Sequence, residues 1–181
     1  ETSSSGIRTF HHSEFPLERL LDAKGATSVS VCLPARNEAA TVGSIVSTLR
    51  TELLDTGAID EIVVVDDHSS DDTARVASEA GARVADAAQV LSDFGGGHGK
   101  GEVLWKSLHV TEGDIVLWCD SDISEFGPRF VSGLLGPLLC EPGVDFAKGY
   151  YRRPEREREG GGRVTELVAR PLIALLFPEL C

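Results

Sequence analysis

Short unbroken apolar runs alternate along this chain with stretches whose apolar residues recur every three or four positions. That alternation predicts strands and helices in turn. Residues 28–34 (SVSVCLP) form the first run, closed by proline and read as a buried strand. Residues 41–54 follow as a helix, with Val42, Ile45, Val46, Leu49 and Leu53 at helical spacing. The run 61–66 (EIVVVD) is the second strand. Residues 69–73 supply N-cap types and first-turn acids for a helix that reaches Ala80 and stops at Gly81. Residues 83–86 predict a third strand, 102–110 a helix after a glycine-rich loop, and 114–119 a fourth strand. A helix over 130–139, a fifth strand over 144–148, a charged mobile loop over 152–162 and a last helix over 164–177, kinked at Pro171, complete the pattern. Residues 1–27 read as an N-terminal arm over the surface with one short helix.

Continuously apolar strands separated by helices imply an α/β fold: a mostly parallel sheet with helices on both faces. Ligands of such sheets lie beyond the carboxyl ends of the strands, and the polar motifs fall there, at 34–38, 66–69 and 120–122. Acidic residues outnumber basic ones 29 to 17, for a net charge of −12. This balance excludes a general nucleic-acid surface, so an anionic ligand must be met by local Lys, Arg, backbone amides or a metal ion. No apolar run approaches the ~18 residues of a membrane span and no signal peptide opens the chain, so a cytoplasmic protein without a membrane partner is expected. Cys32 and Cys119 lie in apolar runs and read as buried and reduced.

The triplet Asp120-Ser121-Asp122 carries the most chemistry. Two carboxylates one residue apart, just past a buried strand, can face one cation, and Mg2+ takes one or two carboxylates plus substrate phosphates. The bland reading is a solvated turn. Asp66 and Asp67 end the second strand, where a carboxylate can accept hydrogen bonds from a ribose or base edge; helix capping accounts for 69–73 but does not require these two. The segment 95–101 (GGGHGKG) can cradle phosphates with backbone amides while Lys100 supplies charge, although it is not a P-loop. The five histidines form no spaced cluster; only His98, in the glycine-rich loop, lies near candidate chemistry, and surface or loop roles are expected for each.

These residues resemble a known family, the actinobacterial glucosyl-3-phosphoglycerate synthases, with which some mannosyl-3-phosphoglycerate synthases are grouped. The resemblance covers 28–180 through the motifs at 33–38 (LPARNE), 65–66 (VD), 69–73 (SSDDT), 99–101 (GKG), 120–122 (DSD), 151–154 (YRRP) and 160–171 (GGGRVTELVARP). The last of these is long and specific. The resemblance implies a Rossmann-like GT-A fold and a retaining transferase. That enzyme moves a hexose from a nucleotide sugar to the 2-hydroxyl of 3-phosphoglycerate with Mg2+ or Mn2+. It implies that Pro34, Ala35, Glu38, Asp66 and Asp67 surround base and ribose. Gly99 and Lys100 would lie near the nucleotide, and Asp120, Ser121 and Asp122 near ribose and metal, with Asp120 and Asp122 catalytic. Gly162, Arg163 and Thr165 would bind the acceptor. Residues 28–181 would then be the nucleotide-sugar domain, with acceptor loop and helix over 152–181.

Two departures qualify the expectation. Where the glucosyl enzymes carry Asp-Ser, this chain has Asp66-Asp67-His68, which leaves UDP-glucose and GDP-mannose both open as donors. Family members also continue past Cys181, which implies a chain incomplete at its C-terminus; a homodimer is left open. Three other readings compete. A sugar nucleotidyltransferase needs a glycine-rich loop directly after the first strand, which is not found here. A nucleotide-sugar-binding fragment without catalysis is the second. A haloacid-dehalogenase-type phosphatase carries its Asp-x-Asp on the first strand rather than the fourth.

Overall fold

The computed structural model describes residues 8–94, 97–150 and 175. Residues 1–149 form one compact unit and 150–181 a second. The elements of the first, in chain order, are α1 (Leu17–Lys24), β1 (Val29–Ala35), α2 (Val42–Leu49), β2 (Glu61–Asp66), α3 (Thr73–Ala80), β3 (Arg83–Asp86), α4 (Lys100–Ser107), β4 (Ile115–Trp118) and α5 (Arg129–Cys140). A π-helical turn, Arg50–Leu54, extends α2 to the end of the expected periodic stretch. The four strands form one sheet in the order β3-β2-β1-β4, every pair parallel.

Side chains of a strand alternate between faces, and here the alternation separates two cores. Val29, Val31, Leu33 and Ala35 of β1, with Ile62 and Val64 of β2, meet Leu20, Ile45, Leu49 and Leu135 on one face. Cys32, Val63 and Val65 turn to the other face and meet Val103 of α4 and Ala87. Both faces are covered, as continuous apolar strands require, but unequally: the second core is the smaller. Burial pushes the thiols of Cys32 and Cys119 up to about 12, so both are inert and reduced at neutral pH.

The N-terminal segment is more than a surface arm. Phe15 and Leu20 are fully buried in the larger core, and α1 packs on α5. Gly136 of α5 makes this possible, because a Cβ there would stand 2.0 Å from the Phe15 ring. Phe15 and Leu20 are among the five apolar residues, with Phe10, Leu17 and Leu21, that the sequence offered as anchors for this segment and its one short helix. The first compact unit ends at Gly149.

Among the described residues the expected fifth strand is not formed: residues 144–148 make no ladder there, and Phe146 is 77% exposed. Alternating composition suits a strand, but a strand also needs a partner, and composition does not report one. The loop and helix expected over 152–177 lie outside the described residues.

Gly136→Ala gains helix propensity of about 1 kcal/mol but drives a methyl group into Phe15. Overpacking of this kind costs about 1–3 kcal/mol, so a net loss of stability is expected. Chemical denaturation of the variant checks it, and a midpoint at or above wild type would show that Phe15 is not held against Gly136.

Candidate active site

The sheet's order reverses between β1 and β4: β1 to β3 run outward on one side, and β4 returns to the other side of β1. At such a switch point the two loops leaving neighbouring strands diverge and a crevice opens. Its local cause is Pro34. In a parallel strand, alternate residues bond to opposite neighbours. Cys32 O accepts from Cys119 N at 3.1 Å on the β4 side, and Ala35 O accepts from Asp67 N at 2.8 Å on the β2 side. Pro34 therefore falls on the β4 side and has no N–H to continue that ladder. Its carbonyl is taken instead by the Ser121 hydroxyl at 2.6 Å, and the Ser121 carbonyl accepts from Thr41 Oγ1 at 2.7 Å.

The crevice has a volume of about 250 Å3. It is lined by Pro34, Ala35, Arg36 and Glu38 after β1, Asp67 after β2, Gly99, Lys100 and Val103 at α4, and Asp122 after β4. Of the residues expected around a donor, six thus line one cleft: Pro34, Ala35, Glu38, Asp67, Gly99 and Lys100. Asp122 joins them, and Asp120 reaches the same place through an ion pair with Lys100. Ser121 is different. It is 4% exposed and its hydroxyl is engaged by Pro34, so its side chain positions the two flanking carboxylates and offers a ligand no hydroxyl. Asp66 stands behind the cleft wall; Oδ2 accepts from Ser69 N at 3.3 Å, while Oδ1 is buried without a partner among the described residues. Gly162, Arg163 and Thr165 lie outside the described residues.

Asp67 is buried at 4% exposure, with Oδ2 accepting from Gly99 N at 3.1 Å and lying 3.8 Å from the Arg36 guanidinium, and Oδ1 at 3.0 Å from His68 Nδ1. Burial pushes its carboxyl up, but these hydrogen bonds and the Arg36 charge outweigh it and hold Asp67 below the usual carboxylate range. The reading of Asp67 as an open acceptor for a base edge changes accordingly: both oxygens are engaged, and one ties the glycine-rich loop to β2.

The segment 69–73 caps its own helix only through Asp71, whose Oδ1 accepts from Thr73 N at 3.0 Å, and otherwise serves a different loop. Asp72 is the N-cap of α3 and makes no side-chain cap bond. Ser69 Oγ accepts from Asn37 N at 2.9 Å, Asp71 Oδ2 from Ala39 N at 3.1 Å and Thr73 Oγ1 from Glu38 N at 2.8 Å. These side chains satisfy the amides of the β1–α2 loop and fix Glu38. A cap motif shows only which donors a residue type can serve locally, and loops that meet in space supply others.

Sequence reasoning missed Arg36, Lys106 and the pairing of His68 with His98. Arg36 lines the cleft, and its position between Pro34 and Glu38 was the available signal. Lys106 is fully buried, giving its Nζ to Ala87 O at 2.7 Å and lying 3.3 Å from Glu102, which pins α4 and the Lys100 at its start. His68 and His98, thirty residues apart, stand with ring centroids 4.4 Å apart beside Asp67. The histidines do form a cluster, and only the fold brings it together.

Two carboxylates with exposed oxygens at a strand end suit a hard divalent cation, and at Asp120 the Lys100 ammonium already occupies a cation's place. The residues therefore fit a divalent ion at Asp120 and Asp122.

Residues 30–169 match the family model for glycosyl transferase family 2. The chain belongs to that family. Among its curated relatives are glucosyl-3-phosphoglycerate synthases of Mycolicibacterium smegmatis, 50% identical over 87% of this chain and 53% of the relative, and of Petrotoga mobilis, 43% identical over 96% and 56%. Among solved structures, mannosyl-3-phosphoglycerate synthase from Rubrobacter xylanophilus superposes with a TM-score of 0.87 at 46% identity, over 96% of this chain and 56% of that one. Glucosyl-3-phosphoglycerate synthase from Mycobacterium tuberculosis, solved with Mn2+, UDP-glucose and phosphoglyceric acid, gives 0.80 at 45% identity over 95% and 58%. These likenesses bear out the expected GT-A fold and the resemblance drawn from the motifs. The chain spans about half the length of the curated relatives it matches.

Because the folded Asp67 carboxyl is held below its ordinary value of 3.8, its stabilisation is present above that value and disappears as pH falls through the lowered one. Asp67→Asn is thus expected to lose about 1–3 kcal/mol at pH 7, with the gap to wild type closing in strong acid. Paired urea melts across pH measure it; a gap independent of pH would deny Asp67 a charged role.

Proposed function

We propose that the protein is the nucleotide-sugar-binding part of a retaining, metal-dependent glycosyltransferase that transfers a hexose from a nucleoside-diphosphate sugar to 3-phosphoglycerate. The observation that carries this reading is the cleft itself. It gathers Glu38, Asp67, Lys100 and Asp122 from four separate loops at the one point where the sheet order reverses. The relatives' named activity and the M. tuberculosis complex with Mn2+, UDP-glucose and phosphoglyceric acid support the choice of substrates.

The residues divide the work. Asp120 and Asp122 hold a divalent cation, Mg2+ or Mn2+, which when bound neutralises the diphosphate and makes it a better leaving group. Lys100 exchanges its pairing with Asp120 for the diphosphate, whose oxygens also face the first amides of α4. Pro34, Ala35 and Glu38 shape the wall for base and ribose. Gly162, Arg163 and Thr165 bind the acceptor, whose phosphate and carboxylate suit an arginine fork. UDP-glucose and GDP-mannose both stay in view as donors, because glucosyl and mannosyl enzymes stand at nearly equal identity, 45% and 46%.

Turnover of UDP-glucose and GDP-mannose against 3-phosphoglycerate, with the whole gene product, tests the proposal, and no transfer from either would overturn it. Asp122→Ala is expected to cut turnover by roughly 100-fold or more, since a bound cation supplies several kcal/mol. By calorimetry it should also abolish the metal-dependent part of nucleotide-sugar binding; a binding constant equally metal-dependent in both proteins would remove the cation from this triplet. Arg163→Ala should weaken acceptor use by about 10- to 100-fold per charge-assisted bond lost and leave donor affinity near wild type. An unchanged KM for 3-phosphoglycerate would take the acceptor assignment away from this loop.

A further inference from the structure

Beside the cleft, Asp67, His68 and His98 each present one donor atom, and the three atoms lie within 4.8 Å of one another. The carboxylate is buried and the two imidazoles are exposed, with their rings tilted by 59° at 4.4 Å. We propose that these three residues form a second metal site, distinct in chemistry from Asp120 and Asp122, that takes a borderline transition ion of the Zn2+ type.

The donor set decides the ion. Two imidazoles and one carboxylate suit Zn2+, Ni2+ or Cu2+, whereas Mg2+ and Mn2+ prefer oxygen ligands such as those of the Asp120–Asp122 pair. Ligand bonds to Zn2+ run about 2.0–2.2 Å, so donors on one tetrahedral ion stand roughly 3.4 Å apart. His68 Nδ1 and Asp67 Oδ1 are already at 3.0 Å, and His98 needs to close by roughly an ångström, which rotation of an exposed ring provides. The Gly99 amide holds the other Asp67 oxygen at 3.1 Å, so the carboxylate is oriented before any ion arrives. An ion here displaces the proton on the His68–Asp67 hydrogen bond and leaves a fourth position open to water.

Its consequence is mechanical. His68 belongs to the turn after β2 and His98 to the glycine-rich loop that starts α4. A bound ion ties these two loops together at the rim of the cleft, next to Gly99 and Lys100. The site does not depend on the proposed transfer reaction, and its test reads binding alone.

The test titrates Zn2+, and Co2+ as its coloured analogue, into the chelator-treated whole protein without nucleotide. Calorimetry should show one Zn2+ per chain, and Co2+ should give the intense visible bands of a four-coordinate complex. His68→Ala and His98→Ala should each weaken Zn2+ binding at least tenfold and bleach the Co2+ bands, while Asp122→Ala leaves both unchanged. Both histidines are exposed, so these variants keep the core intact; circular dichroism confirms it. No stoichiometric Zn2+ binding would overturn the proposal. So would binding lost in Asp122→Ala but kept in the histidine variants, which would place the ion on the Asp120–Asp122 triplet.

Discussion

The parting of β1 from β4 at Pro34 is the constraint on which the site depends. Were residue 34 able to donate, the ladder would continue and the loop after β4 would close onto β1. The missing N–H stops it at Cys32, and the Ser121 hydroxyl satisfies the one carbonyl left over. Ser121 is turned inward and buried at a bend, while Asp120 and Asp122 on either side of it are exposed. Asp120 and Asp122 are delivered to the crevice by the same residue that seals its floor.

The chain's acidity makes the local balance of charge the second constraint. A cleft carrying Glu38, Asp67 and Asp122 would repel a diphosphate, and the structure handles these groups in two ways. Asp67 is buried and satisfied by an amide, an imidazole and a guanidinium, so its charge is spent within the fold. Asp120 is half-exposed, and its partner Lys100 is a flexible ammonium on the surface. An exposed pair of this kind contributes little stability and is readily exchanged. The buried carboxylate builds the wall; the exposed ones remain available to a cation.

Much of this was legible in the sequence. The four strands, their parallel arrangement and the cluster of polar motifs at their carboxyl ends follow from apolar runs and from where they stop. Asp120-Ser121-Asp122 was singled out for the same reason, and the fold sets Asp122 in the cleft and Asp120 against Lys100. What escaped is what depends on distance in space. Ser69, Asp71 and Thr73 have the composition of a cap, and Asp71 does accept from Thr73 N, but all three also serve amides about thirty residues upstream. Residues 144–148 have strand composition without a ladder, and Phe15 shows its weight only against Gly136. The His68–His98 pair had no sequence signal, since no spacing rule spans thirty residues.

Backbone strain marks the same place. Among the described residues only Asn37, His68 and Leu91 hold a positive φ without being glycine, and the first two sit at the ends of β1 and β2 beside the cleft. Asn tolerates φ 59° well, and its side chain offsets the cost by accepting from Ser70 N at 2.8 Å. His68 at φ 58° is also of a type that takes this region more readily than most, and it sits against both Asp67 at 3.0 Å and the His98 ring at 4.4 Å. The left-handed turn points this imidazole across at His98, so the turn after β2 and the glycine-rich loop present their rings to one place beside the cleft.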